Sequence, residues 1–158
     1  MYKKILVPLD GSKLAECVLP HVESIGSGGG TESVTFVRVV EPFYMAMAAD
    51  PEAGYTLSVK DWQQMEAEAK EAAGAYLKRL TSTIKYKGVR IDSEVLEGKA
   101  ADSIADYADK AGFDLIVIAT HGRSGVSRWV WGSVADRILR SARVPVLMVR
   151  PAGCGTGV

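Results

Sequence analysis

Two short runs, Ile5-Leu6-Val7-Pro8-Leu9 and Leu115-Ile116-Val117-Ile118-Ala119, contain no polar residue at any position. A strand that is apolar on alternate residues needs cover on one side only, whereas one that is apolar throughout needs cover on both. That condition is met by interior strands of a parallel sheet with helices on each face. The second run therefore reads as a central strand, and the first as a buried strand stopped by the turn residues Asp10-Gly11-Ser12.

The segments between alternate in period. Ser12 can cap a helix whose apolar face is Ala15, Val18, Leu19, Val22 and Ile25, with Pro20 inside the pattern as a kink or a lost hydrogen bond. Gly26 to Gly30 ends it, and a second strand is expected around Ser33 to Val40. From Glu41 to about Lys60 no period holds, a length that points to a functional or mobile segment. Phe43, Tyr44, Met45 and Met47 within it suit a lid or partner surface, or local packing over the next helix. That helix carries a stripe of Trp62, Met65, Ala69, Ala72, Ala73, Tyr76, Leu77, Leu80 and Ile84, with Glu66 and Lys70 spaced as an ion pair. Arg90 to Leu96 reads as a third strand, and Ala101, Ile104, Ala105, Ala108 and Ala111 as a short helix. A last helix, roughly Val130 to Ala142, and a strand Val144 to Val149 follow.

The order β-α-β-α-β-α-β-α-β, with right-handed crossovers, predicts an α/β fold: a doubly wound, open sheet of five mainly parallel strands with helices on both faces. A chain of 158 residues suits one domain, expected over 1–151 with a flexible tail at 152–158. Nineteen basic residues balance nineteen acidic ones, which argues against nucleic acid or an anionic membrane held by bulk charge. Cys17 and Cys154 form neither a disulfide framework nor a CxxC site, and no signal or membrane-spanning segment is visible, so a cytoplasmic location is expected.

Ligands of such sheets bind beyond the carboxyl ends of the strands, where strand order reverses. Two loops carry suitable chemistry: Pro8 to Ser12, and the segment Thr120 to Ser133 after Ala119. In the second, Gly122, Gly125 and Gly132 permit close approach of backbone N–H groups to an anion. Gly132-Ser133 opens the last helix, whose N-terminus favours phosphate. Ser124, Ser127 and Ser133 add hydroxyls, and Arg123 and Arg128 add positive charge. The loop is neither GxxxxGK[ST] nor GxGxxG, so a P-loop ATPase is not expected. A Gly-rich turn with serine caps remains the plain alternative.

Lys4-Ile-Leu-Val-Pro-Leu-Asp-Gly-Ser12 at the start, with Gly132-Ser-Val-Ala-Asp-Arg-Ile-Leu-Arg140 and Val144-Pro-Val-Leu-Met-Val149 at the end, resembles the universal stress protein family from Lys3 to Arg150. The resemblance implies a Rossmann-like fold of the adenine-nucleotide α-hydrolase type. It also implies ATP, ADP or AMP as ligand, with Mg²⁺ able to accompany the phosphates. The nucleotide-binding branch carries Gly, two residues, Gly, nine residues, Gly, then Ser or Thr. Gly122, Gly132 and Ser133 match, while Ala119 replaces the first glycine. By the same resemblance Asp10 contacts the ribose, the backbone near Leu9 and Val39 flanks the adenine, Gly122, Arg123, Gly125, Gly132, Ser133 and Val134 surround the phosphates, and Pro8, Ala119 and Thr120 belong to the same expected site. A carboxylate after a switch-point strand suits a ribose hydroxyl pair, and it also suits an Asx turn at the first helix.

The family further implies a homodimer through Val144–Val149, and a strand at a sheet edge gives the same expectation. Trp129 and Trp131 suit either a partner surface or the core. An unidentified protein partner is also compatible. His121 and His21 read as a turn and a surface residue. No general base, two-carboxylate metal site or P-loop lysine is seen, so a binding switch with at most slow ATP hydrolysis is expected. The competing readings are a dimeric scaffold that binds no nucleotide and an adenylyl-transfer enzyme. Absence of SGGxxS and HxGH motifs argues against the latter.

Overall fold

The computed structural model describes residues 1–42, 59–120 and 132–151. In chain order the elements are β1 (Lys4–Pro8), a 3-10 turn (Ala15–Val18), α1 (Leu19–Ser27), β2 (Ser33–Val40), α2 (Val59–Thr83), β3 (Arg90–Glu97), α3 (Ala100–Lys110), β4 (Leu115–Ala119), α4 (Ser133–Ser141) and β5 (Val146–Val149). The five strands form one sheet in the order β3-β2-β1-β4-β5, and every pairing is parallel. The expected doubly wound α/β sheet is the one observed.

Burial explains why β1 and β4 are apolar throughout. Ile5, Val7, Leu115 and Val117 pack in a core with α1 and α2. Leu6, Ile116 and Ile118, the residues between them, pack in a second core with α3 and α4. Alternate residues thus serve opposite faces, and none can be polar without an unmade hydrogen bond. Phe36, Leu77 and Ile138 are among the largest side chains fully removed from water. Each such burial stabilises the fold by about 1.5–3 kcal/mol.

Three local expectations are corrected. The first helix is not continuous: a 3-10 turn ends at Val18, and α1 begins with Pro20 at its second position. A helix leaves its first N–H groups without intrahelical acceptors, so a proline there loses nothing. In α2, only Ala73, Tyr76 and Leu77 are fully buried, while Ala69 and Ala72 are exposed and Met65 is 41% exposed. At 25 residues this helix runs about 37 Å against roughly 26 Å for β2, so only part of its stripe meets the sheet. The ion pair made by Lys70 is also not the one expected. Its Nζ meets Glu97 Oε2 in β3 at 2.9 Å, while the Glu66 carboxylate one turn earlier acts on it through charge without a direct contact. The long segment after Glu41 and the tail at 152–158 fall outside the described residues, apart from Glu41, Pro42 and the start of α2.

Candidate functional site

Strand order reverses between β1 and β4, whose residues pair directly as Ile5–Leu115 and Leu6–Ile116. Chain leaves β1 toward β2 on one side and β4 toward β5 on the other, so the two exit segments diverge over a gap about one strand spacing wide, ~4.8 Å. This is where the sequence places its ligand.

The β1 exit is held by hydrogen bonds. Leu9 N–H donates to Val37 O at 2.8 Å, which extends the β1–β2 ladder one residue beyond the strand. The chain then turns on Asp10, whose Oδ1 accepts the Ser12 N–H at 2.8 Å, and Ser12 Oγ accepts the Ala15 N–H at 3.2 Å. The Asx turn read from the sequence is therefore formed, whereas Ser12 caps no helix: it bonds Ala15 ahead of the 3-10 turn, whose N-cap residue is Leu14 and makes no side-chain cap. Gly11 takes φ +86°, a left-handed conformation that disfavours any side chain.

The β4 exit closes on itself. Thr120 is buried and donates its N–H to Val149 O at 2.8 Å, while its own carbonyl accepts the Gly132 N–H at 2.7 Å. Both ends of the intervening loop are thus held at the sheet. Within it Gly122, Arg123 and Gly125, and also His121, Ser124, Ser127, Arg128, Trp129 and Trp131, lie outside the described residues. Gly132 differs from the sequence expectation in one respect: its N–H is already taken by Thr120. Its carbonyl instead starts α4 by accepting the Asp136 N–H at 3.0 Å, and no side chain among the described residues caps the helix. The N–H groups of Ser133, Val134 and Ala135 have no acceptor among the described residues. Ser133 and Val134 are exposed. The helix dipole concentrates partial positive charge at that point.

What fixes α4 is packing plus charge. Ala135 and Ile138 enter the core. Arg137 Nε meets Asp102 Oδ1 of α3 at 3.0 Å, Arg143 meets Asp109 at 3.5 Å, and Arg140 meets Asp136 at 3.0 Å. These arginines are solvated and also paired: Arg137 holds α4 to α3, and Arg143 ties the chain just after α4 to the same helix.

Val39 packs on the same face of the sheet as α4, and Leu9 on the opposite face. Pro8 is buried at the end of β1. Ala119, which stands at the expected glycine position, is 8% exposed and belongs to the core that contains Leu9, Val117 and Val149.

Sequence reasoning missed the support beneath the Asp10 turn. The Arg38 guanidinium carbon lies 5.4 Å from the Tyr76 ring centroid, within cation–π range. A Cβ on Gly11 would stand 3.0 Å from the same guanidinium. The Tyr76 hydroxyl donates to Glu16 Oε1 at 3.1 Å. Burial first, and then the Glu16 and Asp10 carboxylates, hold that hydroxyl above the ordinary tyrosine range, while Arg38 works in the opposite direction. A lone charged residue, late in β2, is the only sequence signal of this arrangement. Among the described residues, no group of three or more His, Cys, Asp or Glu side chains could hold a metal ion, and no helix is long and apolar enough to cross a membrane.

The universal stress protein family model matches residues 1–150. The universal stress protein MJ0531 of Methanocaldococcus jannaschii is 34% identical over 151 residues, spanning 95% of this chain and 83% of its own. The solved structure of MJ0577, from the same organism, superposes with a TM-score of 0.71 at 25% identity and covers 97% of this chain and 99% of that one. A universal stress family protein from Arabidopsis thaliana, solved with AMP bound, shares the fold with a TM-score of 0.61 at 17% identity, covering 98% and 95% of the two chains.

Proposed function

The chain belongs to the universal stress protein family, and from that premise we propose that it binds an adenine nucleotide, ATP, ADP or AMP, in the crevice between the β1 and β4 exits. The observation that carries this reading is the N-terminus of α4, whose first N–H groups have no acceptor among the described residues, next to the pairing of β1 with β4 that brings the Asp10 turn to the same end of the sheet. Phosphate oxygens can accept from the Ser133 and Val134 N–H groups, with Gly122, Arg123 and Gly125 of the preceding loop supplying the remaining donors. Asp10 serves the ribose, with Pro8, Leu9 and Val39 by the base. Thr120 and Gly132 act by tying the loop ends rather than by offering their own N–H groups.

Ala119 is compatible with this arrangement because its methyl group belongs to the core around Leu9 and Val149. A Mg²⁺ ion bound with ATP would be held chiefly by phosphate oxygens. The AMP bound to the Arabidopsis relative supports an adenine ligand for a fold of this kind.

Binding rather than turnover is the role proposed, as a stress-response switch in the cytoplasm. The working unit is a single domain over 1–151 that forms a homodimer through β5. That strand lies at the sheet edge, paired on one side only with β4, and Leu147 is 38% exposed. An open apolar edge of this type favours association with a second copy.

The direct test is to denature the purified protein and identify released nucleotide by chromatography with mass detection. A stoichiometric adenine nucleotide is expected. An empty protein that shows no thermal shift with millimolar ATP, ADP or AMP would overturn the reading and leave a dimeric scaffold in its place.

A further inference from the structure

A second cavity opens on the face of the sheet that carries α3, starting at the opposite ends of the strands from the nucleotide crevice. It is a cleft of about 270 Å³ between β1, β2, β3 and the end of α3, just below the size of pockets that hold drug-like molecules. The strand register arranges its floor in rows. Lys4, Ser33 and Arg90 are direct partners across three strands, followed by Leu6, Thr35 and Asp92, and then Pro8, Val37 and Glu94. Along β2, this face therefore changes from Ser33 and Thr35 to Val37 and Val39.

The two hydroxyls are the unusual feature. Ser33 is 3% exposed and Thr35 is 7% exposed, yet no side-chain hydrogen bond reaches either hydroxyl among the described residues. Sheet-face positions this deep are normally apolar, and neither hydroxyl is sealed from water without a partner, so both stay open to the cleft. Both belong to the lining of the cleft.

The charges around them follow the rows, with one ion pair joining the first row to the second. The first row puts a cation on each side of Ser33, with Lys4 Nζ only loosely engaged by Ala111 O at 3.4 Å. Arg90 Nε meets Asp92 Oδ2 at 2.8 Å, leaving the outer N–H groups of the guanidinium available. The next rows bring the carboxylates of Asp92 and Glu94, the latter accepting from the Tyr107 hydroxyl. Positive charge thus gives way to negative along the strand direction, within one to two steps of about 7 Å. The Tyr107 and Phe113 rings, 5.5 Å apart, form the apolar wall.

We propose that this cleft is a binding site for a small zwitterion of the α-amino acid type. The guest's carboxylate would lie among Lys4, Ser33 and Arg90, and its ammonium toward Thr35 and the carboxylates of Asp92 and Glu94. The four charged groups sum to zero, so a neutral guest with separated charges is favoured over an anion such as a nucleotide. The inference does not depend on the nucleotide reading, since the two sites lie at opposite ends of β1.

The test is amide NMR on the full-length protein titrated with L-serine, L-aspartate and L-lysine, with acetate and methylammonium as single-charge controls. At least one amino acid is expected to give saturable shifts at Ser33, Thr35 and Asp92 in the millimolar range, with both controls about tenfold weaker. Thr35→Val and Asp92→Asn should each weaken that binding about tenfold while the melting temperature stays unchanged. Three results would overturn the proposal: no saturable shift with any amino acid, acetate alone binding equally well, or undiminished binding in both variants.

Discussion

The two ends of the sheet are finished in different ways. At the amino end of the strands, polar main-chain groups are tied to one another or to side chains. Asp114 Oδ2 accepts the N–H groups of Lys3 and Lys4 at 2.8 and 2.9 Å, joining the start of β1 to that of β4. Glu32 and Ser33 both donate to Lys3 O, Arg90 N–H donates to Glu32 O, and Thr31 Oγ1 donates to Tyr2 O. At the carboxyl end, Leu9, Gly98 and Thr120 each donate to a neighbouring strand, yet the first N–H groups of α4 meet no acceptor among the described residues. Closed backbone accounting contributes stability, whereas donors left open contribute recognition at some expense to the helix that holds them. The comparison predicts that changes at the carboxyl end alter binding first, and changes at the amino end alter stability first.

The largest expected effect is at the open end. Gly132 has φ −51° and ψ 129°, which a valine adopts without strain. Gly132→Val should therefore fold, yet crowd the approach to the α4 N–H groups. Nucleotide affinity is expected to fall at least about 100-fold, or ~2.7 kcal/mol. Calorimetric titration of a folded variant that still binds normally would remove the phosphate from this position.

Gly11→Ala tests whether the Asp10 turn belongs to both categories. The residue must keep φ +86°, and its methyl group would press on the Arg38 guanidinium at 3.0 Å. A loss of about 1–2 kcal/mol in unfolding free energy is expected, together with weaker nucleotide binding as the turn shifts. Denaturant unfolding with and without AMP separates the two.

Asp114→Asn is the matching change at the closed end. The Lys4 N–H bond first, then the Lys3 N–H bond and the two lysine charges, hold this carboxyl below its ordinary value. A depressed folded value means the stabilisation is complete above the ordinary carboxyl range and is lost as pH falls through the folded value. At neutral pH the substitution should destabilise by about 1 kcal/mol, discounted for the solvent around the pair. It should also flatten the acid limb of a stability-against-pH curve and leave nucleotide affinity unchanged. An identical acid limb in the variant would show that other carboxylates carry it. Thr35→Val should have the smallest effect, within about 0.5 kcal/mol in thermal unfolding, because no described side chain bonds its hydroxyl.

Much of this was legible in the residues themselves. The runs at β1 and β4 required cover on both faces and received it, and the Ser33–Val40 strand has the bounds its β-branched residues suggested. Asp10-Gly11-Ser12 announced its own turn because an Asx turn is a contact between near neighbours. Legibility declined where the relevant partner was distant in the chain. The nine-position stripe of α2 was correct in period but too long, since only the sheet's dimensions decide how much of a helix is covered.

The sequence alone determined the alternation of elements, the burial of β1, the central place of β4 and the two loops at the carboxyl ends of these strands, because these follow from period and turn chemistry. Tertiary structure alone decided that Thr120 takes the Gly132 N–H, that Lys70 pairs with Glu97 rather than Glu66, and that Arg38 lies against Tyr76 and Gly11. It alone placed Ser33 and Thr35 in a charged cleft. Local patterns encode the preference of a residue for burial or for a turn. Which donor meets which acceptor depends on strand register and on the angle at which helices return, and neither is a property of any short stretch of chain.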